Sequence, residues 1–320
     1  MSVAIELGLA DRSVGIDLIR ENSERAGWSI RYRQLEAGPL EVHSMVWYCG
    51  QILLKDESIN RCLQVVGESP LGVITVLIPD RNRRAWVNGH SLDDGQMVIL
   101  FPGNKFHLVT GRKSRIVSMQ VPQSVISAEL SEYELEQLDV LENDLTPAIS
   151  DKAEISQLRT LILNSRDSGT AGRPSLITEA SLISKLGLLV ASYPNHMTGS
   201  PTCISIKQIS TLRKVDMYLE SHLREEFRMS EFSRASGVSE RTLERLFKNA
   251  FGITPSAYIK TLRLHKARTE LARKTIYNKS IAQIAMDQGF SHLGRFSVSY
   301  REHFGQSPSE FRRALVHEVL

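Results

Sequence analysis

The sequence predicts a multidomain α+β protein: an N-terminal antiparallel β-barrel or sandwich, a helical segment, then an all-α domain with two helix-turn-helix motifs. Three observations predict it. One helical pattern occurs twice near the C-terminus, β-branched runs broken by turn signals fill residues 28–122, and charge divides the chain. Residues 201–320 hold 20 Lys+Arg against 12 Asp+Glu, a net +8, whereas residues 1–200 hold 19 against 24, a net −5. The whole-chain value of +3 hides this split.

In the N-terminal half, apolar runs over 73–78, 97–101 and 116–121 are separated by turn signals such as Gly38-Pro39, Cys49-Gly50, Ser69-Pro70, Asn88-Gly89 and Pro102-Gly103. Short strands with turns at this frequency indicate an antiparallel barrel or sandwich, placed here at residues 1–122. Residues 123–194 read as helical, with apolar residues at helical spacing over 128–141, 155–163 and 177–190. That layer is a candidate dimer interface, and packing against the barrel is the other ordinary use for it. Residues 195–206, with Gly199, Ser200 and Pro201, read as a linker, and 207–320 as the C-terminal domain.

The repeated pattern reads Gly237-Val238-Ser239, Phe247-Lys248, Phe251-Gly252, Thr254-Pro255 and Tyr258 in its first copy. The second reads Gly289-Phe290-Ser291, Tyr300-Arg301, Phe304-Gly305, Ser307-Pro308 and Phe311. The glycines are 52 residues apart and the later positions 53, so the second unit has gained one residue. Two copies of one supersecondary unit imply two copies of one task. Glycine then serine between helical stretches suits a tight turn ending in a helix N-cap, and Ser280 with Gln283 has capping-box spacing. After each turn, Leu243, Leu246 and Phe247, or Phe296 and Tyr300, fall on one face. The opposite face carries Glu240, Arg241, Thr242, Glu244 and Arg245 in the first unit, and His292, Arg295, Ser299 and Arg301 in the second. A second helix that turns hydrogen-bonding side chains outward is a DNA reader's arrangement, and these residues are the candidate DNA contacts.

Between the two units, Thr254-Pro255 predicts an N-cap with proline in the first turn, and no glycine or proline follows until beyond Lys274. About 20 residues at 1.5 Å each make a rod of roughly 30 Å. That is near the roughly 34 Å between successive major-groove faces of B-DNA. Ser307-Pro308-Ser309-Glu310 predicts a second capping box at the closing helix. The basic balance of this half suits phosphate neutralisation.

These residues resemble the C-terminal DNA-binding domain of the AraC/XylS transcription regulators over roughly 209–315. The most specific part is Ser280-Ile281-Ala282-Gln283-Ile284-Ala285 leading into Gly289-Phe290-Ser291, Phe296 and Phe304-Gly305-Gln306-Ser307-Pro308. Phe247-Lys248, Phe251-Gly252-Ile253-Thr254-Pro255 and Arg263-Leu264 match the first half and the linker helix. Ser233 and the stretch Leu293-Gly294-Arg295 depart from the family pattern, which is expected to affect the sequence read more than DNA binding itself. The resemblance implies promoter DNA and RNA polymerase as partners, activation of transcription, and, by position only, a cupin-like N-terminal barrel that senses a ligand or mediates homodimerisation.

For the barrel's ligand, His43, His90 and His107 lack the cluster a cupin metal site needs, so neither a metal nor a resident cofactor is expected. Arg81, Arg83 and Arg84 before Trp86, with Arg31 and Arg33 on one face of a strand, offer forks for phosphates and a stacking plane. An anionic effector such as cyclic di-GMP fits that chemistry. Asp56-x-Ser58 followed by Arg61 matches a PilZ-type cyclic di-GMP pattern only in part. The bland alternative is a solvated basic strand edge. Other readings are a ligand-independent regulator, or an enzyme or repair protein fused to a DNA-binding domain. Cys49 and Cys62 have no adjacent histidine to activate them, and no glycine-rich phosphate loop occurs, so no enzyme is expected. The chain shows no signal segment or membrane-length apolar run, and a cytoplasmic location is expected.

Overall fold

The computed structural model describes residues 11–14, 27–80, 85–88, 90–92, 95–128, 131–132, 148–149, 152–167, 176–192, 206–225, 227–273 and 279–317. Two compact units emerge: Met1–Tyr32 with Glu41–Cys203, and Arg33–Leu40 with Ile204–Leu320.

In the first unit, one sheet runs β1 (Asp11–Val14), β3 (Glu41–Cys49), β4 (Ile52–Ile59), β11 (Ser114–Pro122), β6 (Val73–Pro79), β9 (Gln96–Leu100) and β12 (Ala148–Ile149). The other runs β2 (Ser29–Gln34), β5 (Leu63–Glu68), β10 (Lys105–Val109), β7 (Ala85–Val87) and β8 (His90–Leu92). Among the described residues these are two antiparallel sheets rather than one closed barrel. The register explains the layering. Leu54 lies opposite Met119, Met119 opposite Val76 and Val76 opposite Ile99, so side chains of alternate residues form continuous apolar rows. Those rows pack against Ile126 of α1 (Gln123–Ser127), Ile155, Leu158 and Ile162 of α2 (Lys152–Asp167), and Leu182, Leu186 and Leu189 of α3 (Leu176–Ser192). The helical segment offered above as a dimer interface thus turns its apolar faces to the sheet. Trp47 Nε1 donates to Ser165 Oγ at 3.0 Å and Gln51 N to Glu179 Oε1 at 2.8 Å, tying α2 and α3 to the β3–β4 hairpin. Nearly all of the helix expected over 128–141, and of the linker expected over 195–206, lies outside the described residues.

The second unit holds α4 (Ile206–His222), α5 (Met229–Ser236), α6 (Glu240–Phe251), α7 (Pro255–Ala272), α8 (Ile281–Asp287), α9 (Leu293–Phe304) and α10 (Pro308–His317). The long helix α7 serves both halves of this unit. Tyr258, Ile259 and Leu262 are buried toward its N-terminal end, where Tyr258 meets Phe247 at 5.2 Å and Phe251 at 4.7 Å. One or two turns on, Leu264, Ala267 and Leu271 join Ile284, Ala285, Phe296, Tyr300 and Phe311 in a second core. A helix buried in two cores is held by packing, which matters more than its intrinsic propensity. Residues 33–40 were not expected in this unit. Gln34 Nε2 donates to His303 O at 3.0 Å, Gly38 N donates to the same oxygen at 3.2 Å, and Arg33 Nη1 donates to Tyr258 Oη at 2.8 Å.

Candidate nucleic-acid interface

The first turn is built as its sequence predicts. Gly237 sits at φ 74° and closes α5 by donating to Ser233 O at 3.0 Å. Ser239 then caps α6, its hydroxyl accepting from Thr242 N at 3.3 Å. Ser233 has a role inside the turn: its Oγ donates to Val238 O at 2.6 Å. This departure from the family pattern therefore has a structural role, the hydroxyl satisfying a carbonyl in the turn.

The second turn differs. Its helix begins four residues after the glycine instead of three, so His292 is the N-cap, with no side-chain cap bond, and Ser291 is not. The added residue lengthens the turn and leaves the serine one position short of the N-cap. Ser280 does cap α8, accepting from Gln283 N at 3.0 Å, but the Gln283 amide donates to Asp287 Oδ1 at 3.0 Å and the reciprocal half of that expected box is not made. At α10 the box is complete: Ser307 N donates to Glu310 Oε2 at 2.6 Å and Glu310 N to Ser307 Oγ at 3.2 Å.

Arg263 of α7 ties the α4–α5 connection to the second turn. Its Nε donates to Leu223 O at 2.9 Å, its Nη1 to Gly289 O at 3.1 Å, and its Nη2 to Glu225 O. Burial lowers its pKa. Gly289, at φ 79°, would press a Cβ to 3.0 Å from this guanidinium, so the close approach requires glycine.

On α6, Glu240, Arg241, Glu244 and Arg245 are exposed, as the sequence predicts. Thr242 is half-buried and its hydroxyl lies 2.9 Å from Ser239 Oγ, within the cap. Lys248 and Asn249 share the exposed face and were overlooked as contacts; helical spacing from Arg241 and Arg245 was the signal for them. On α9, His292, Arg295 and Arg301 are exposed and Ser299 is half-buried. Arg301 Nη2 also reaches Glu310 at 3.3 Å. Behind these faces Phe247 and Phe296, like Tyr258 and Tyr300, are fully buried.

A family model described as a helix-turn-helix domain matches residues 232–314. A solved AraC-type transcriptional regulator from Chromobacterium violaceum is 38% identical, and the match spans 33% of this chain and 91% of that one, with a TM-score of 0.31. The chain belongs to the AraC/XylS family. A probable thc operon regulatory protein of Rhodococcus erythropolis is 39% identical over 98 residues, and a XylDLEGF operon transcriptional activator of Pseudomonas putida 33% identical over 133. Those matches span 30% and 41% of the relatives' own lengths, and 31% and 41% of this chain.

The residues suggested for an effector fare differently from the AraC/XylS domain. Arg81, Arg83 and Arg84 lie outside the described residues. Arg31 is exposed on β2 and Trp86 half-buried on β7. Arg33 is held by Tyr258, through the hydrogen bond and a stacked approach at 5.6 Å from the ring centre. Asp56 accepts a two-point bond from Arg115 at 2.7 and 2.5 Å, and that pairing raises the Arg115 pKa. A cation the sequence reading passed over is Lys55 of β4, 2.7 Å from Glu57 Oε1. By strand alternation it faces away from the helix-packed rows. Burial alone would lower its pKa, but Glu57 and Tyr32 raise it. The Cys49 thiol is buried, and burial with nearby Glu179 raises its pKa, the reverse of an activated nucleophile. No helix among the described residues is long and apolar enough to cross a membrane.

Proposed function

We propose that this protein is a sequence-specific transcription regulator that binds promoter DNA through α6 and α9 and activates transcription with RNA polymerase. One observation carries the reading: two helices expose arginines on one face, and each is packed through its other face onto the single helix α7. The name of the Pseudomonas putida relative supports the activating role. Duplexes selected by the full-length protein from a random pool test it. Arg241→Ala should cost roughly 1–3 kcal/mol and relax specificity at one position. A uniform loss on all duplexes would make Arg241 a phosphate contact, and failure to enrich any sequence would refute the reading.

The N-terminal sheets are proposed to receive a small anionic effector, cyclic di-GMP among the candidates, in a cytoplasmic homodimer. Lys55, paired to Glu57 on the face away from the helices, is the support for an anion. Calorimetry of the full-length protein against cyclic di-GMP and small organic anions tests the proposal. Silence toward all of them would leave a ligand-independent regulator.

A further inference from the structure

The centre of the outward face of α9 is apolar. At about 100° per residue, the buried Phe296, Tyr300 and His303 point one way and Val298 points about 170° from them, with Arg295 and Arg301 about 60° to either side. Val298 is 59% exposed. Ser299 lies about 100° off this centre and is half-buried. One turn toward the N-terminus, Gly294 would meet nothing within 4 Å if it carried a Cβ. Neither residue has a local reason to be there. Valine and glycine are poor helix formers, and exposure removes any packing gain that would offset this. On α6 the corresponding centre is filled by Arg241, Arg245 and Lys248. The two helices therefore present different chemistry from matching positions.

We infer that Val298 reads the methyl group of a thymine in the major groove. This rests on the DNA-binding reading above. The two flanking arginines suit the phosphates and guanine edges on either side, which draws the helix into the groove and leaves the valine at the point of closest approach. Among the edges that A·T and G·C pairs present there, the thymine methyl is the apolar group, and the others are donors or acceptors. A valine pressed on one of those would strip its water and return no hydrogen bond. The low Gly294 surface lets the backbone come close.

Deoxyuridine lacks only that methyl. In a duplex selected by the full-length protein, each thymine is replaced in turn by deoxyuridine. One replacement should weaken binding about fourfold, the value of one buried methyl group. Val298→Ala should bind the unsubstituted duplex more weakly and be indifferent to deoxyuridine at that position, with its circular dichroism unchanged. If no thymine is methyl-sensitive, or the sensitivity persists in Val298→Ala, the inference is overturned while DNA binding stands. If no duplex is selected, the DNA-binding reading itself fails.

Discussion

Arg263→Met keeps the aliphatic stem and removes three charge-assisted hydrogen bonds, to the carbonyls of Leu223, Glu225 and Gly289. Each such bond contributes about 1.5–3 kcal/mol. The three are not independent, and the Glu225 contact is exposed, so water replaces part of it. A net loss of about 3 kcal/mol is expected from the two half-buried contacts and the remainder of the third. Arg263→Lys should recover less than half, because an ammonium is a point donor that cannot reach three carbonyls in fork geometry. Urea unfolding of the full chain separates the units. All three tryptophans, Trp28, Trp47 and Trp86, belong to the first unit, whereas most of the helix among the described residues belongs to the second. The helical signal at 222 nm should shift to lower urea while the tryptophan transition stays in place. A loss under about 1 kcal/mol, or equal losses in the Met and Lys variants, would refute the idea that this guanidinium joins the α4–α5 connection to the second turn.

Acid should destabilise the second unit. Burial lowers the His303 pKa from 6.5 to about 4, against the raising effect of its backbone bond to Gln34, and His265 is lowered well below its usual value, again chiefly by burial. Between those values the unfolded chain binds more protons than the folded one, so stability is complete above about pH 6.5 and falls as pH drops toward 4. For His303 alone the loss is roughly 3 kcal/mol. Urea midpoints at pH 7 and 4.5 check this, and His303→Leu should flatten the dependence. The two repeat serines should also behave differently: Ser239→Ala should cost about 1 kcal/mol as a lost cap, and Ser291→Ala less than about 0.5 kcal/mol. Equal losses in thermal melts would mean that the second turn is capped as the first is.

Much of the second unit was legible because its signals are local. Gly237, Ser239, Thr254 and Ser307 act through the backbone within a few residues, and all four do what their spacing predicts. The exposed arginines of α6 and α9 followed from a 3.6-residue period in the same way. Ser291 misled because one added residue moves a helix start without changing the motif's letters. Ser233 read as a departure from the family because a hydroxyl's partner, here Val238 O, depends on the turn's path.

The sequence by itself determined the order of elements, the two helix-turn-helix motifs, the basic half and the alternation that pairs sheet with helix, since each follows from periods and compositions spanning a few residues. Only the tertiary structure decided that the strands form two sheets, that Arg33 is engaged by Tyr258 and Asp56 by Arg115, and that Arg263 joins the α4–α5 connection to the second turn. Arg33 and Tyr258 are 225 residues apart, and a side chain's partner across such a distance is set by how separate surfaces pack, which no local period encodes.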